Sequence, residues 1–343
     1  MGDPLPGLDI ASPVLAAPMA GGATTPELVI AVARAGSFGF LAGGYKKPEQ
    51  LALDIQAVRQ HTPAFGVNLF APGRQAPIEQ DVFRAYADAI ADDARNYDID
   101  LSTARPVEDD DGWAGKIDVV IAERVPVVSF TFAVPDPAVV ERLKDAGILP
   151  VQTITNHDEA ELARTAGITA MILQGSGAGG HSAVTTPEVP VKDVPLTDLV
   201  ADMRSRSDAP IIAAGGISTS EEAAAVLAAG ADAVMVGTVL LRSRESGASA
   251  VHKAAIADAS RGPTVVTRAF TGRPARALPN EFIRKYDAIA PFGYPAIHYL
   301  TSGLRKAAAA AGNPEMVHLW AGTGYQKATD EPAGLILKRL AGQ

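Results

Sequence analysis

Along the chain, short runs of β-branched or apolar residues alternate with alanine-rich segments whose apolar positions recur at helical spacing. That alternation predicts βαβ units and a parallel sheet. Eight runs stand out: Val14 to Met19, Phe38 to Ala42, Phe65 to Phe70, Val125 to Phe132, Pro150 to Ile154, Ala170 to Gln174, Pro210 to Ala214 and Ala233 to Gly237. Eight parallel strands close a (β/α)8 TIM barrel, the α/β architecture expected here. Helices are predicted in the gaps, among them Pro26 to Ala35, Pro48 to His61, Asp136 to Ala146, Asp158 to Ala166 and Ser218 to Ala229. Several open on Thr, Asn or Ser caps. Gly36, Gly147, Gly167 and Gly230 each follow such a helix, where a left-handed residue satisfies the last carbonyls.

Two gaps are too long for a simple crossover, residues 71–124 and 175–209. Both follow a strand and so belong to the face where barrel enzymes keep their chemistry. The first holds a predicted helix from Ile78 to Tyr97 and then the run Glu108-Asp109-Asp110-Asp111-Gly112. With no histidine or further carboxylate at ligand spacing, that run reads as a solvated loop, and no metal is expected. From Arg261 to Gln343 the βα rhythm stops. The expected organisation is a barrel over residues 1–260, including an insertion at about 71–124. Residues 261–343 are expected to pack over the barrel mouth and, with the insertion, to form a small lid or substrate region.

With 343 residues, 47% hydrophobic and 20% charged, the chain can bury a large core. A formal charge of -9 argues against nucleic-acid or anionic-membrane partners and favours a small-molecule substrate. The absence of cysteine excludes disulfides, thiolate nucleophiles, iron–sulfur clusters and Cys-based zinc sites. Any redox chemistry must then come from a bound cofactor. Met1 to Pro6 carries no basic region followed by an apolar core, and no uninterrupted apolar run is long enough to span a membrane, so a cytoplasmic location is expected. A homodimer is left open.

The segment Leu173-Gln174-Gly175-Ser176-Gly177-Ala178-Gly179-Gly180-His181-Ser182 ends an apolar strand in a glycine-rich turn that delivers one imidazole. Glycines remove side chains where something approaches closely, and histidine suits proton transfer near neutrality. Gly215-Gly216 and Gly237-Thr238 place turns after the seventh and eighth strands, where this architecture cradles phosphate on backbone N–H groups. Asn68 and Gln174 are amides on apolar strands and need partners, either a ligand edge that both donates and accepts or a neighbouring strand end. Met19 offers a soft thioether to a flat ring, or plain core packing. His61 and His157 sit on predicted helix edges and His252 on the last barrel helix, and all three read as surface. His298 and His318, near Tyr294, Tyr299, Trp320 and Tyr325, are candidates for a substrate pocket. Arg268, Arg273 and Arg276 read as a basic cluster on a solvated or subunit-facing surface.

Taken in order, Ala17 to Gly21, Gly66 to Phe70 with its continuation to Pro72, Gln174 to His181, Ala214 to Ile217 and Met235 to Thr238 resemble the nitronate monooxygenase family, FMN-dependent (β/α)8 barrels. Leu319 to Gly324 is similar to the family's class I branch. The resemblance implies that Asn68, Gln174, Gly179, Gly216, Gly237 and Thr238 contact FMN and that His181 is the catalytic base, with Met19, Gly180 and Gly215 beside the same cofactor. It implies oxidation of an alkyl nitronate or nitroalkane by O2 to a carbonyl compound and nitrite. One departure stands out. The family often continues Gly-Gly-His-x-Gly, whereas Ala183 stands here, and a positive φ at that position would strain alanine. The alternatives are an NAD(P)H-dependent flavin enoyl or quinone reductase of the same superfamily, a non-redox phosphate-binding barrel, and a non-catalytic flavin-binding barrel.

Overall fold

The computed structural model describes residues 4–8, 10–73 and 76–343. The first three residues of the amino-terminal stretch considered above lie outside them. Eight parallel strands form the main sheet: β1 (Val14–Ala16), β2 (Phe40–Ala42), β3 (Gly66–Phe70), β4 (Val127–Thr131), β5 (Leu149–Ile154), β6 (Ala170–Gln174), β8 (Ile211–Ala214) and β9 (Ala233–Val236). Their order is β1-β9-β8-β6-β5-β4-β3-β2, and a parallel bridge between Ala16 and Gly39 joins the two ends into a barrel. The structure thus has the (β/α)8 fold that the eight runs predict. Six strands are one to three residues shorter than their runs, β6 coincides with its run, and β5 begins one residue earlier, at Leu149.

Side chains alternate between two layers, as a pleated strand dictates. On β6, Met171 and Leu173 pack outward against the helices, while Ala170 and Ile172 fill the barrel interior. Leu5, Phe38 and Phe40 join the interior cluster with Leu15, Val127, Val151, Ile212 and Met235. This apolar plug leaves the opposite, carboxyl end of the strands open for polar groups.

The helices follow their local codes. Thr25 caps Pro26–Arg34 by accepting from Leu28 N, and Asn156 caps His157–Thr165 by accepting from Glu159 N. Gly36, Gly147, Gly167 and Gly230 all have positive φ past their helices. The helix after β8 begins at Ser220 under a capping box of Thr219 and Glu222, so Thr219 is the cap and not Ser218. The helix expected over 78–97 is broken into Gln80–Ala89 and Ala91–Arg95.

A second core lies beyond the barrel. Phe83, Tyr86 and Ile90 of the insertion pack with Phe270, Phe282, Ile297 and Leu304 of the later chain, and Tyr86 donates to Ala269 O at 2.6 Å. Burying each such phenylalanine contributes roughly 1.5–3 kcal/mol. A small antiparallel sheet accompanies this core, in the order β10 (Val265–Thr267), β11 (Ala275–Ala277), β7 (Gly180–His181). β7 comes from the loop after β6, so this sheet ties the barrel mouth to the carboxyl-terminal third. The last helix, Ala333–Leu340, returns to the barrel's outer layer through Ala333, Ile336, Leu337 and Leu340.

The acidic run departs from its expected character at one residue. Asp111 turns inward, pairing with Lys116 Nζ at 2.6 Å, and the lysine side chain is 1% exposed. Asp111 also accepts from Tyr45 N at 2.9 Å and thereby pins a residue whose φ is +64°. Asp109 accepts from the Tyr299 hydroxyl at 2.8 Å. The run is therefore a strut under the barrel mouth as well as a surface loop.

Candidate active site

A cavity of about 540 Å³ opens at the carboxyl ends of the strands. Its size falls in the range of sites for small molecules and cofactors. Met19, Asn68, Gln174, Gly179, Gly180, His181, Gly215, Gly216, Gly237 and Thr238 all line it, as do His298 and Trp320. A neighbouring cavity of about 380 Å³ shares Tyr45, Phe70 and Phe132 with the first and is lined by Tyr294 and Tyr299. The structure thus distributes the four suggested substrate-side residues over two adjoining chambers.

At one end the lining is main chain. Gly215 and Gly216 have φ of +113° and +79°, values that side chains rarely adopt. A Cβ on Gly216 would lie 2.9 Å from Thr323 Oγ1, and one on Gly179 would lie 2.5 Å from Gly322 N. The N–H groups of Gly216, Gly237 and Thr238 donate to no main-chain acceptor among the described residues. The turn is closed from the carboxyl-terminal side, where Gly322 N donates to Thr238 Oγ1 at 2.9 Å and Thr323 N to Gly177 O at 3.0 Å. Free amides on a glycine turn and a short helix, Thr238–Leu240, are donors of the kind that can hold an anion without a lysine. The longer helix after β8 does not line the cavity, and its own cap pairs Thr219 with Glu222.

Between the ends, the polar inward positions of the middle strands converge. Asn68 Nδ2 donates to Ser129 Oγ and Thr131 Oγ1, each at 3.0 Å. Gln174 accepts from Ala183 N at 2.9 Å and donates to His181 O at 3.3 Å. Both amides therefore bond to neighbouring chain, and Gln174 holds the His181 loop in place. Ala183 is fully buried and is not among the residues with positive φ, so the expected strain does not arise there. Gly180 takes that role instead, at +74°. Thr131 and Thr153 line the cavity beside Asn68. Their signal was available: Asn68 is in register with Ser129 and, through it, Val151, and Thr131 and Thr153 lie two positions further on, on the same axis-facing side.

The other end is built from aromatic and cationic side chains. His181 sits among Phe132, Trp320 and Tyr294, with ring centroids 5.5, 5.5 and 5.7 Å away. Burial, then the charges of Arg273 and Arg305, push its imidazole down to about 3, so it is neutral with a lone pair across the ordinary pH range. His298 stacks on Tyr45 at 4.2 Å and is likewise pushed down to about 2, by burial and then Arg305. Arg305 is 5% exposed, lines the cavity and is bound by no carboxylate among the described residues. It donates to His298 O at 2.8 Å and to the Nδ1 atoms of His298 and His318, each at 3.3 Å.

Two expectations are corrected here. Arg273 is not on a surface: it is 2% exposed, its guanidinium lies 4.1 Å over the Phe132 ring, and it donates to Val184 O. His252 is not on a surface either, for it lines the cavity and hydrogen-bonds to Trp320 O at 2.9 Å. Arg305 had no local signal, because an arginine within an alanine-rich helix reads as a solvated residue. Its burial comes from the fold of the second core around it.

No helix among the described residues is long and apolar enough to cross a membrane. Comparison with known proteins agrees with the geometry. The sequence profile of the family described as nitronate monooxygenase matches residues 5–341. A probable nitronate monooxygenase of Staphylococcus aureus strain JH9 is 36% identical over 341 residues, covering 98% of this chain and 95% of that protein. Nitroalkane oxidase from Streptomyces ansochromogenes superposes with a TM-score of 0.89 at 42% identity, covering 97% of this chain and 96% of that one. FabK from Thermotoga maritima superposes with a TM-score of 0.74 at 29% identity, covering 98% and 93%. The chain is an oxidoreductase and belongs to the nitronate monooxygenase family.

Proposed function

We propose that the protein is an FMN-dependent enzyme that oxidises alkyl nitronates, and neutral nitroalkanes through their nitronates, with O2 to a carbonyl compound and nitrite. The observation that carries this reading is a single cavity with free main-chain amides at one end and a neutral, half-buried imidazole at the other. The lining fits a flavin mononucleotide. Gly216, Gly237 and Thr238 would hold the phosphate, Asn68 and Gln174 the polar ring edge, and Met19 the flat apolar face, with Gly179, Gly180 and Gly215 giving close backbone approach. When bound, the flavin supplies the electron acceptor that the side chains of this chain lack.

The chain's own residues handle the proton and the charge. With a neutral nitroalkane, His181 takes the α-proton; the C–H bond breaks, an N–H bond forms, and the electron pair moves onto the nitro group as nitronate. Negative charge then develops in the field of Arg273 and Arg305, whose depression of the free imidazole is relieved once an anion is present. Phe132, Tyr294 and Trp320 keep water from the ring edge. The carboxyl-terminal stretch and the 71–124 insertion act in this reading as the lid of the barrel unit.

The test is an anaerobic spectrum of the purified protein mixed with an alkyl nitronate. A yellow protein whose released cofactor is FMN and whose absorbance near 450 nm bleaches on mixing is the expected result, with nitrite formed on admitting air. Bleaching by NADH but not by nitronate would replace this reading with a flavin reductase.

A further inference from the structure

A histidine acts as a base only through the ring nitrogen that lacks a proton, and its surroundings decide which one that is. His181 Nε2 lies 2.9 Å from Thr271 Oγ1. The same hydroxyl lies 3.2 Å from Arg273 O, to which it donates. A carbonyl can only accept, and no other donor to Arg273 O is found among the described residues. Thr271 and Arg273 are 1% and 2% exposed, so a carbonyl left without this donor would be a buried orphan, costing about 1–3 kcal/mol. A chain of Nε2–H to Thr271 Oγ1, and Thr271 O–H to Arg273 O, satisfies every group. The opposite arrangement, with the hydroxyl donating to Nε2, does not.

The surrounding backbone holds this relay in register. His181 on β7 pairs with Ala275 on β11, Ser182 N donates to Pro274 O at 2.9 Å, and Thr271 N donates to Arg268 O at 3.2 Å. Thr271 is not part of the cavity wall, whereas His181 is. Nε2 is thus directed into the protein. Nδ1 bonds to nothing among the described residues and is not among the atoms sealed from solvent without a partner.

We propose that Thr271 is a positioning residue that locks His181 as its Nε2–H tautomer, so that Nδ1 is the atom that receives the α-proton of a neutral nitroalkane. The inference rests on His181 being the base, as proposed above. Proton transfer then leaves an imidazolium whose Nε2–H is already anchored, so no ring flip or hydroxyl rotation accompanies the step. Thr271 itself touches neither substrate nor cofactor.

The experiment uses the flavin-loaded protein with 15N-labelled histidine. Two-bond proton–nitrogen correlation spectra report which nitrogen of each imidazole is protonated, and the signal absent from His181→Asn identifies His181. The expected pattern is Nε2–H in the unaltered protein and in Thr271→Ser, and its loss or mixing in Thr271→Val. Alongside, Thr271→Val should lower kcat for a neutral nitroalkane roughly 10- to 100-fold with little change in KM, Thr271→Ser should restore it, and turnover of a preformed nitronate should be unchanged. An Nδ1–H pattern in the unaltered protein overturns the inference, as does a Thr271→Val protein with the parental pattern. If the unaltered protein does not turn over any neutral nitroalkane, the assignment of His181 as base falls instead, while the spectra still decide whether Thr271 sets the tautomer.

Discussion

The two ends of the main cavity are made of different material. The proposed cradle at Gly216, Gly237 and Thr238 is backbone supplied by two adjacent strand ends, β8 and β9. The opposite end draws side chains from distant parts of the chain: Tyr45, Phe132, His181, His298, Arg305 and Trp320. A backbone cradle tolerates little change in side-chain size, and it is closed by one distant stretch, Gly322 to Thr323. A side-chain end can be altered residue by residue, but exists only when several segments have docked. Cofactor retention and substrate turnover should therefore be separable by mutation.

The sharpest separation comes from His181→Asn. It should lower kcat/KM for a neutral nitroalkane by about 10²–10⁴-fold while the flavin spectrum stays that of the parent. Loss of flavin in that variant would show that the two ends are not independent. Next in size is Asp111→Asn, which leaves the Lys116 charge buried without its partner beneath Tyr45. Breaking a buried pair from one side costs about 3–5 kcal/mol, to be read from denaturant unfolding, and the aromatic end should loosen before the cradle does.

At the cradle, Gly216→Ala forces a left-handed alanine against Thr323 Oγ1 and should cost about 1–2 kcal/mol, or roughly tenfold in FMN affinity by equilibrium dialysis. Its kcat at saturating FMN should match the parent's, and a fall in kcat would break the comparison from the other side. Arg305→Met removes one of the charges that depress His181, leaving burial, the largest cause, and Arg273. A depressed base keeps its lone pair down to low pH, so the parent should remain active well into acid. The variant should lose activity at a higher pH, visible as an upward shift of the acidic limb of kcat/KM. The smallest effect is expected from Thr219→Ala, about 1 kcal/mol from loss of the capping box, with FMN affinity unchanged because that helix end does not serve the cradle.

The same contrast explains what could be read without coordinates. Strands, helix stops and the glycine cradle are encoded within a few consecutive residues, as Ile211 to Gly216 shows, where an apolar run and its turn stand side by side. His181 was legible for the same reason, being carried by its own glycine-rich segment. Arg273, His252 and Arg305 were not. Each is buried by contacts made elsewhere, on Phe132, on Trp320 O and on two histidines from different turns of the later chain. Asp111 was hidden because its partner Lys116 is five residues away, a spacing that marks no regular helix face. The alternation that turns Thr131 and Thr153 toward the barrel axis, two positions past the register partners of Asn68, could have been counted from the strands.

The bonds from Gly322 to Thr238 and from Thr323 to Gly177 have a consequence for biogenesis. Translation runs from the amino terminus, so the eight barrel strands emerge well before the stretch that closes the glycine turns over them. A nascent chain halted near residue 300 would carry the histidine loop and both turns with an unfinished wall between them. If the proposed flavin is held at these turns, its site is complete only once the residues beyond 320 are in place.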